Sequence, residues 1–118
     1  IDAGADYVVT QMFFDNSKYF AYVEACRAAG IGVPIVAGLK PFTTKSQLSL
    51  LPQTFGIELP DELVRAVEGC RDNAAVREVG IEWAVAQGRE LMAAGAPALH
   101  FYTMGKADNV ERIARALF

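Results

Sequence analysis

The sequence predicts an α/β protein of parallel strands joined by helices, and three observations carry that prediction. A short pattern recurs: "DAGADYVVT" (Asp2–Thr10), "AAGIGVPIVAG" (Ala28–Gly38) and "AAGAPALHFYT" (Ala93–Thr103) each pass from small residues through a glycine and a short link into a mostly apolar run. Glycine just past a helix end adopts the left-handed conformation without steric cost, so each copy reads as helix end, tight turn, buried strand. The apolar runs alternate little, as parallel strands covered on both faces do. Between them lie apolar residues at helical spacing, and strand–helix–strand with a right-handed crossover is the building step of α/β folds.

Taken in order, the first strand lies within "DYVVTQMFFD" (Asp6–Asp15). Strand parity puts Tyr7, Val9 and Gln11 on one face and Val8, Thr10 and Met12 on the other, with the barrel side left open. A helix follows, capped by Asn16 or Ser17 and carrying Tyr19, Val23, Cys26 and Ala29 at helical spacing. After the second strand come two helical segments, one over 44–55 and one starting at "LPDELV", where Pro60 and two acids suit a first turn. Asn73 opens a long helix with Val76, Val79, Trp83, Leu91 and Ala94 on its stripe. The third strand leads to a last helix marked by Val110, Ile113, Ala114 and Leu117.

The order is β-α-β-α-α-α-β-α. Three parallel strands alone leave two bare edges. Gly4 reads as the cap of a helix whose body would precede Ile1. Residues 1–118 are therefore expected to be the C-terminal part of a single (β/α)8 TIM barrel domain, with the N-terminal strands absent from this chain. Such barrels take about 250 residues. A small, self-contained open sheet is the alternative. The barrel reading predicts that the isolated chain folds poorly and is inactive; a sharp cooperative melt of the 118-residue monomer would count against it.

Composition excludes several classes. Hydrophobic residues make up 53% of the chain and charged residues 21%, a core-forming balance. The net charge of −3 offers no basic field for nucleic acid or an anionic membrane. No apolar run is long enough to span a bilayer and no secretory signal is visible, so the expected location is cytoplasmic. Cys26 and Cys70 are far apart and read as reduced thiols, and with His100 the lone histidine no metal site is expected.

In such barrels ligands sit at the C-terminal ends of strands. Those positions are Gln11 and "MFFD", Lys40 and "PFTTKSQ", and Tyr102 with "TMGK". Gln11 carries a donor and an acceptor and does not titrate, which suits an amide-like edge such as a pterin or a carboxamide. Its amide could equally satisfy backbone groups at the strand end. Asp15 reads as a helix cap or an acid–base group, and Gln47 as a first-turn helix residue. Lys106 could bind an anion or be a surface charge, and Phe13 and Phe14 could wall a pocket or fill the core. His100 reads as a packed core or barrel residue. Lys40 is the one candidate for a Schiff-base lysine, with little support from its surroundings. "GLKPFTTKSQ" fits neither a P-loop nor a dinucleotide fingerprint.

The stretch "ADYVVTQMFFDNSKYFAYVEACRAAGIGVPIVAGLKPFTT", together with "HFYTMGK", resembles the later barrel strands of the methylenetetrahydrofolate reductase family. The likeness runs in order along nearly the whole chain. It implies an FAD-dependent oxidoreductase that takes hydride from NADH or NADPH and reduces 5,10-methylenetetrahydrofolate to the 5-methyl form used in methionine synthesis. It implies a homo-oligomer when full length. The family's proton-donor glutamate and most FAD contacts would lie upstream, so no catalytic residue is expected here. Matched residue by residue, Gln11 falls on the glutamine that meets the pterin and the nicotinamide, Gln47 on a second folate contact, and Tyr102 on an aromatic near the pocket. Lys106 stands where an arginine often binds substrate, and Leu51 where some members stack a phenylalanine. Met12 and the Gly105–Lys106 pair depart from the commoner residues; lysine keeps the charge but loses the planar fork. A non-catalytic barrel remnant bound to a partner that supplies the missing strands is the competing reading.

Overall fold

The computed structural model describes residues 2–103 and 107–118. Its elements are β1 (Val8–Val9), α1 (Asn16–Ala28), β2 (Ile35–Leu39), α2 (Gln47–Phe55), α3 (Asp61–Glu68), α4 (Asn73–Ala93), β3 (Leu99–Phe101) and α5 (Asp108–Leu117). This is the predicted order. The repeated glycines do what the pattern requires: Gly30 and Gly95, which follow α1 and α4, have φ of 85° and 89°. There a Cβ would be penalised.

At α1 and α4 the cap is the aspartate just before the expected asparagine, and at α1 this is the cap role already expected of Asp15 itself. Asp15, not Asn16 or Ser17, caps α1, its Oδ1 accepting from the Ser17 N–H at 2.9 Å and the Ser17 hydroxyl at 2.7 Å. Asp72, not Asn73, caps α4 by accepting from the Ala75 N–H at 2.9 Å. Each aspartate is followed directly by asparagine, and both types cap well. Asn16 and Asn73 turn to other work: Asn73 accepts from the Lys45 N–H at 3.1 Å, tying the loop before α2 to the start of α4.

The three strands form one parallel sheet in the order β1-β2-β3. The register pairs Val8 with Ile35, Val9 with Val36, Ala37 with Leu99 and Leu39 with Phe101. Side chains alternate along each strand, so Val8, Ile35, Ala37, Leu39, Leu99 and Phe101 share one face. On that face Ile35, Ala37 and Leu39 are fully buried and pack with Phe13, Tyr19 and Leu91, which brings α1 and α4 against it. The other face carries no helix and is largely open: Tyr7 is 60% and Val9 37% exposed, and His100 is exposed too, while Gly38 at its upper end is buried. Of the two roles expected of His100, core and barrel, the structure rules out the core one; its ring meets Tyr102 edge-on at 4.7 Å.

A second core lies beyond the C-terminal ends of the strands. Met12, Phe14, Phe42, Leu51, Leu63, Val67 and Val76 gather there, joining the loops after β1 and β2 to α2, α3 and α4. Helix α4 clamps the β1–α1 loop from one side. Trp83 Nε1 donates to the Phe14 carbonyl at 2.9 Å, and Gln87 Nε2 donates to the Phe13 carbonyl at 3.2 Å. Among the described residues no helix is long and apolar enough to cross a membrane.

Candidate functional site

The rim of the sheet begins with a glycine. An added Cβ at Gly38 would lie 2.5 Å from the Thr10 carbonyl oxygen and 2.9 Å from Tyr102 Cε2. That vacancy lets the Tyr102 ring cross from β3 over β2 towards β1, where its hydroxyl donates to the Thr10 carbonyl at 2.8 Å. Thr10 Oγ1 in turn accepts from the Gly38 N–H at 2.9 Å. Tyr102 thus ties the three strand ends together, and its hydroxyl is already engaged.

Beside this tie opens a cavity of about 370 Å³. Lys40, Thr43, Gln47, Arg77, Tyr102 and Asp108 are among the residues that line it. Gln47, the first residue of α2, is fixed to the loop behind it. Its Oε1 accepts from the Thr43 N–H at 2.8 Å and its Nε2 donates to Thr43 Oγ1 at 3.0 Å. Arg77, from α4, reaches α5 and donates through Nε and Nη2 to Asn109 Oδ1 at 3.3 and 3.0 Å. Lys40 is buried, and that burial pulls its ammonium below the ordinary lysine range.

The sequence-derived candidates therefore divide. Gln47 and Tyr102 share the cavity. Gln11 does not line it: it is exposed, bordering a shallow groove with Met12, Phe55 and Glu58. The Gln11 carboxamide oxygen accepts from the Met12 N–H at 3.1 Å, so the amide does serve the backbone at the strand end. By parity with Val9 it belongs to the bare face of the sheet. Leu51 is buried in the second core, against which Leu48 packs. Lys106 lies outside the described residues. Asp15 is a cap whose carboxyl is held below its usual range, chiefly by the Ser17 hydroxyl and then by the Ser17 N–H.

Arg77 and Asn109 at the cavity escaped the sequence reading, and Asn73 entered it only as a helix start, because they come from helices whose approach only the fold reveals. Lys40 did leave a signal: it is the one charge closing the apolar run "PIVAGLK". Chemically, the cavity offers amide and hydroxyl groups with buried positive charge. It can bind and orient a polar, anionic molecule.

Known proteins match this sequence along nearly its whole length. The family profile of methylenetetrahydrofolate reductase matches residues 1–117. "Methylenetetrahydrofolate reductase 1" of Schizosaccharomyces pombe is 36% identical over 118 residues, covering 99% of this chain and 20% of the yeast protein. "Methylenetetrahydrofolate reductase (NADH) 1" of Arabidopsis thaliana is 36% identical over 97% of this chain and 19% of its own length. "5,10-methylenetetrahydrofolate reductase" of Escherichia coli is 30% identical over 99% of this chain and 40% of its own length. The chain thus spans between about a fifth and two fifths of these relatives. With the match running from the first strand to the last helix, the chain belongs to the methylenetetrahydrofolate reductase family.

Proposed function

We propose that this chain is the substrate-side, C-terminal share of a (β/α)8 barrel enzyme that reduces 5,10-methylenetetrahydrofolate to 5-methyltetrahydrofolate with NADH or NADPH through FAD. The observation that carries this reading is the family match over residues 1–117. The sheet supports the barrel. Its strands are parallel and adjacent in chain order, helices cover one face, and the other face is bare, as the inner wall of an incomplete cylinder would be. Relatives named for NADH and for NADPH both match, so either nicotinamide fits the reading.

The described residues fit a supporting part in a flavin site: the bare face offers apolar wall at Val9 and Val36, with an amide at its rim in Gln11. FAD, when bound, supplies the two-electron transfer. The work of this chain is to bind and orient. Gln11 presents its amide to the pterin or the carboxamide, Gln47 and Lys106 contact the folate, and Tyr102 shapes the wall, whereas Leu51, buried in the second core, holds α2 from behind instead of touching the ligand as expected. The proton-donor glutamate and most of the flavin contacts would come from the preceding strands.

Gln11→Ala in the complete enzyme tests this. Gln11 is exposed in the free chain, so the cost arises only where a bound ligand covers it: a ligand group then left without its partner costs about 1–3 kcal/mol. Steady-state turnover with folate and with nicotinamide is expected to fall by about 5- to 150-fold, since 1.36 kcal/mol is a factor of ten. Flavin absorbance should stay at the wild-type level. Unchanged kinetics with both substrates would remove Gln11 from the site.

A further inference from the structure

Lys40 stands directly after β2 and is 5% exposed. Among the described residues its Nζ reaches a single acceptor, the Pro41 carbonyl at 3.4 Å. That is longer than an ordinary N–H···O bond, and an ammonium has three donors to satisfy. Burial of a cation without a partner is costly, and a counter-charge with good hydrogen bonds is what offsets it. The other charges at the cavity do not supply one. Arg77 is a second cation, already turned to Asn109, and Asp108 is exposed in the first turn of α5, a position favourable for a carboxylate without any lysine. Lys40 lines the 370 Å³ cavity together with Gln47, Thr43 and Tyr102, and on its other side borders a closed pocket walled by Phe42 and Trp83, so the cavity is the side from which a small polar group can approach.

We propose that Lys40 is the anchor of an oxyanion subsite, in which a carboxylate or phosphate of a substrate enters this cavity and pairs with the Lys40 ammonium while Arg77 borders it. The inference rests on the reductase reading for the source of the anion. The nicotinamide dinucleotide carries phosphates and the folate carries carboxylates. It adds to that reading a specificity residue independent of Gln11, which borders a different groove.

The test uses the complete, flavin-loaded protein and Lys40→Met, which keeps length and apolar volume but removes the charge. Inorganic phosphate at tens of millimolar should raise the melting temperature of the wild type and leave that of Lys40→Met unmoved. In separate half-reactions, flavin reduction by NADH or NADPH and flavin reoxidation by the folate, the variant should lose about tenfold in apparent affinity in one arm, which identifies the anion's source. Tenfold corresponds to about 1.4 kcal/mol, near the lower end of what a charge-assisted hydrogen bond is worth. Equal phosphate response in both proteins, with affinities unchanged in both arms, would overturn the subsite. A wild type without reductase activity would overturn the reductase reading instead, and the phosphate arm would still decide on Lys40. If Lys40→Met fails to bind flavin, acetylation of Lys40 in the wild type, followed by mass spectrometry, replaces it. Phosphate should slow that modification several-fold, and an unchanged rate would overturn the proposal.

Discussion

Gly80→Ala is expected to destabilise the protein by about 3 kcal/mol, the upper range for overpacking a tight contact. In an exposed helix the same change would help, by up to about 1 kcal/mol, because alanine is the better helix former. The sign reverses here because α4 rests directly on the loop after β2. A Cβ at Gly80 would collide with the Phe42 carbonyl oxygen, and it would lie 2.7 Å from the Phe42 nitrogen and 2.9 Å from its carbonyl carbon. Those are backbone atoms and cannot rotate away. Phe42 is itself 1% exposed, in the core beyond the strand ends, so the loop cannot retreat inward either. Helix and loop must separate, and the loop carries Lys40, Thr43 and the start of α2 with Gln47. Gly88→Ala is the internal control. It lies on the same helix, but its added carbon would meet the Leu117 side-chain tip, at 2.7 Å, which can move aside. Its effect should stay within about 1 kcal/mol. Thermal melts of the complete protein check both; a Gly80→Ala protein as stable as wild type would mean that α4 does not press on this loop.

Much of this architecture is legible in the sequence because it depends on local rules. The glycine of each repeat predicts its own turn, and Gly30 and Gly95 both show the left-handed backbone. The element order follows from periodicity together with the turn and cap residues that bound each segment. What escapes depends on distance. The Asp15 and Asp72 caps differ from neighbouring asparagines only in which side chain reaches back to the N–H groups, a matter of backbone angle rather than composition. The exposed face of the sheet could not be chosen from one strand; the two registers that join the three strands put Val9, Val36 and His100 on the same side. Gly80 looks in sequence like a weak point in a helix, and only the approach of Phe42 explains it. The candidate site splits along the same line. Gln47 and Tyr102 meet at one cavity, as strand-end logic requires, whereas the partners that close it, Arg77 and Asn109, come from the two helices that flank β3.

Gln87→Leu is the second large effect, and it probes the clamp that holds the loop after β1. Gln87 and Asn16 are 7% exposed and face each other across α4 and α1. Gln87 Nε2 donates to the Phe13 carbonyl at 3.2 Å and to Asn16 Oδ1 at 3.0 Å. Asn16 Nδ2 donates to the Gln87 carbonyl at 3.2 Å and to Glu90 Oε1 at 2.8 Å. Leucine matches the bulk but takes away the donor, leaving two buried acceptors unpaired. Each unsatisfied group costs about 1–3 kcal/mol, so a loss of about 2–6 kcal/mol is expected. The double variant Asn16→Leu with Gln87→Leu should cost less than the sum of the singles, because it removes one of the orphaned acceptors together with its donor. Strict additivity in thermal or denaturant melts would show that the pair is not a coupled network. The functional readout is separate. Phe13 is two residues from Gln11, and Trp83 Nε1 holds the neighbouring Phe14 carbonyl. With that second bond intact, the loop in Gln87→Leu should remain attached but lose its fixed height above the sheet. Under the reductase reading, affinity for folate should then weaken while flavin stays bound. A variant that loses stability but keeps wild-type folate affinity would confine the clamp to holding α4 against α1.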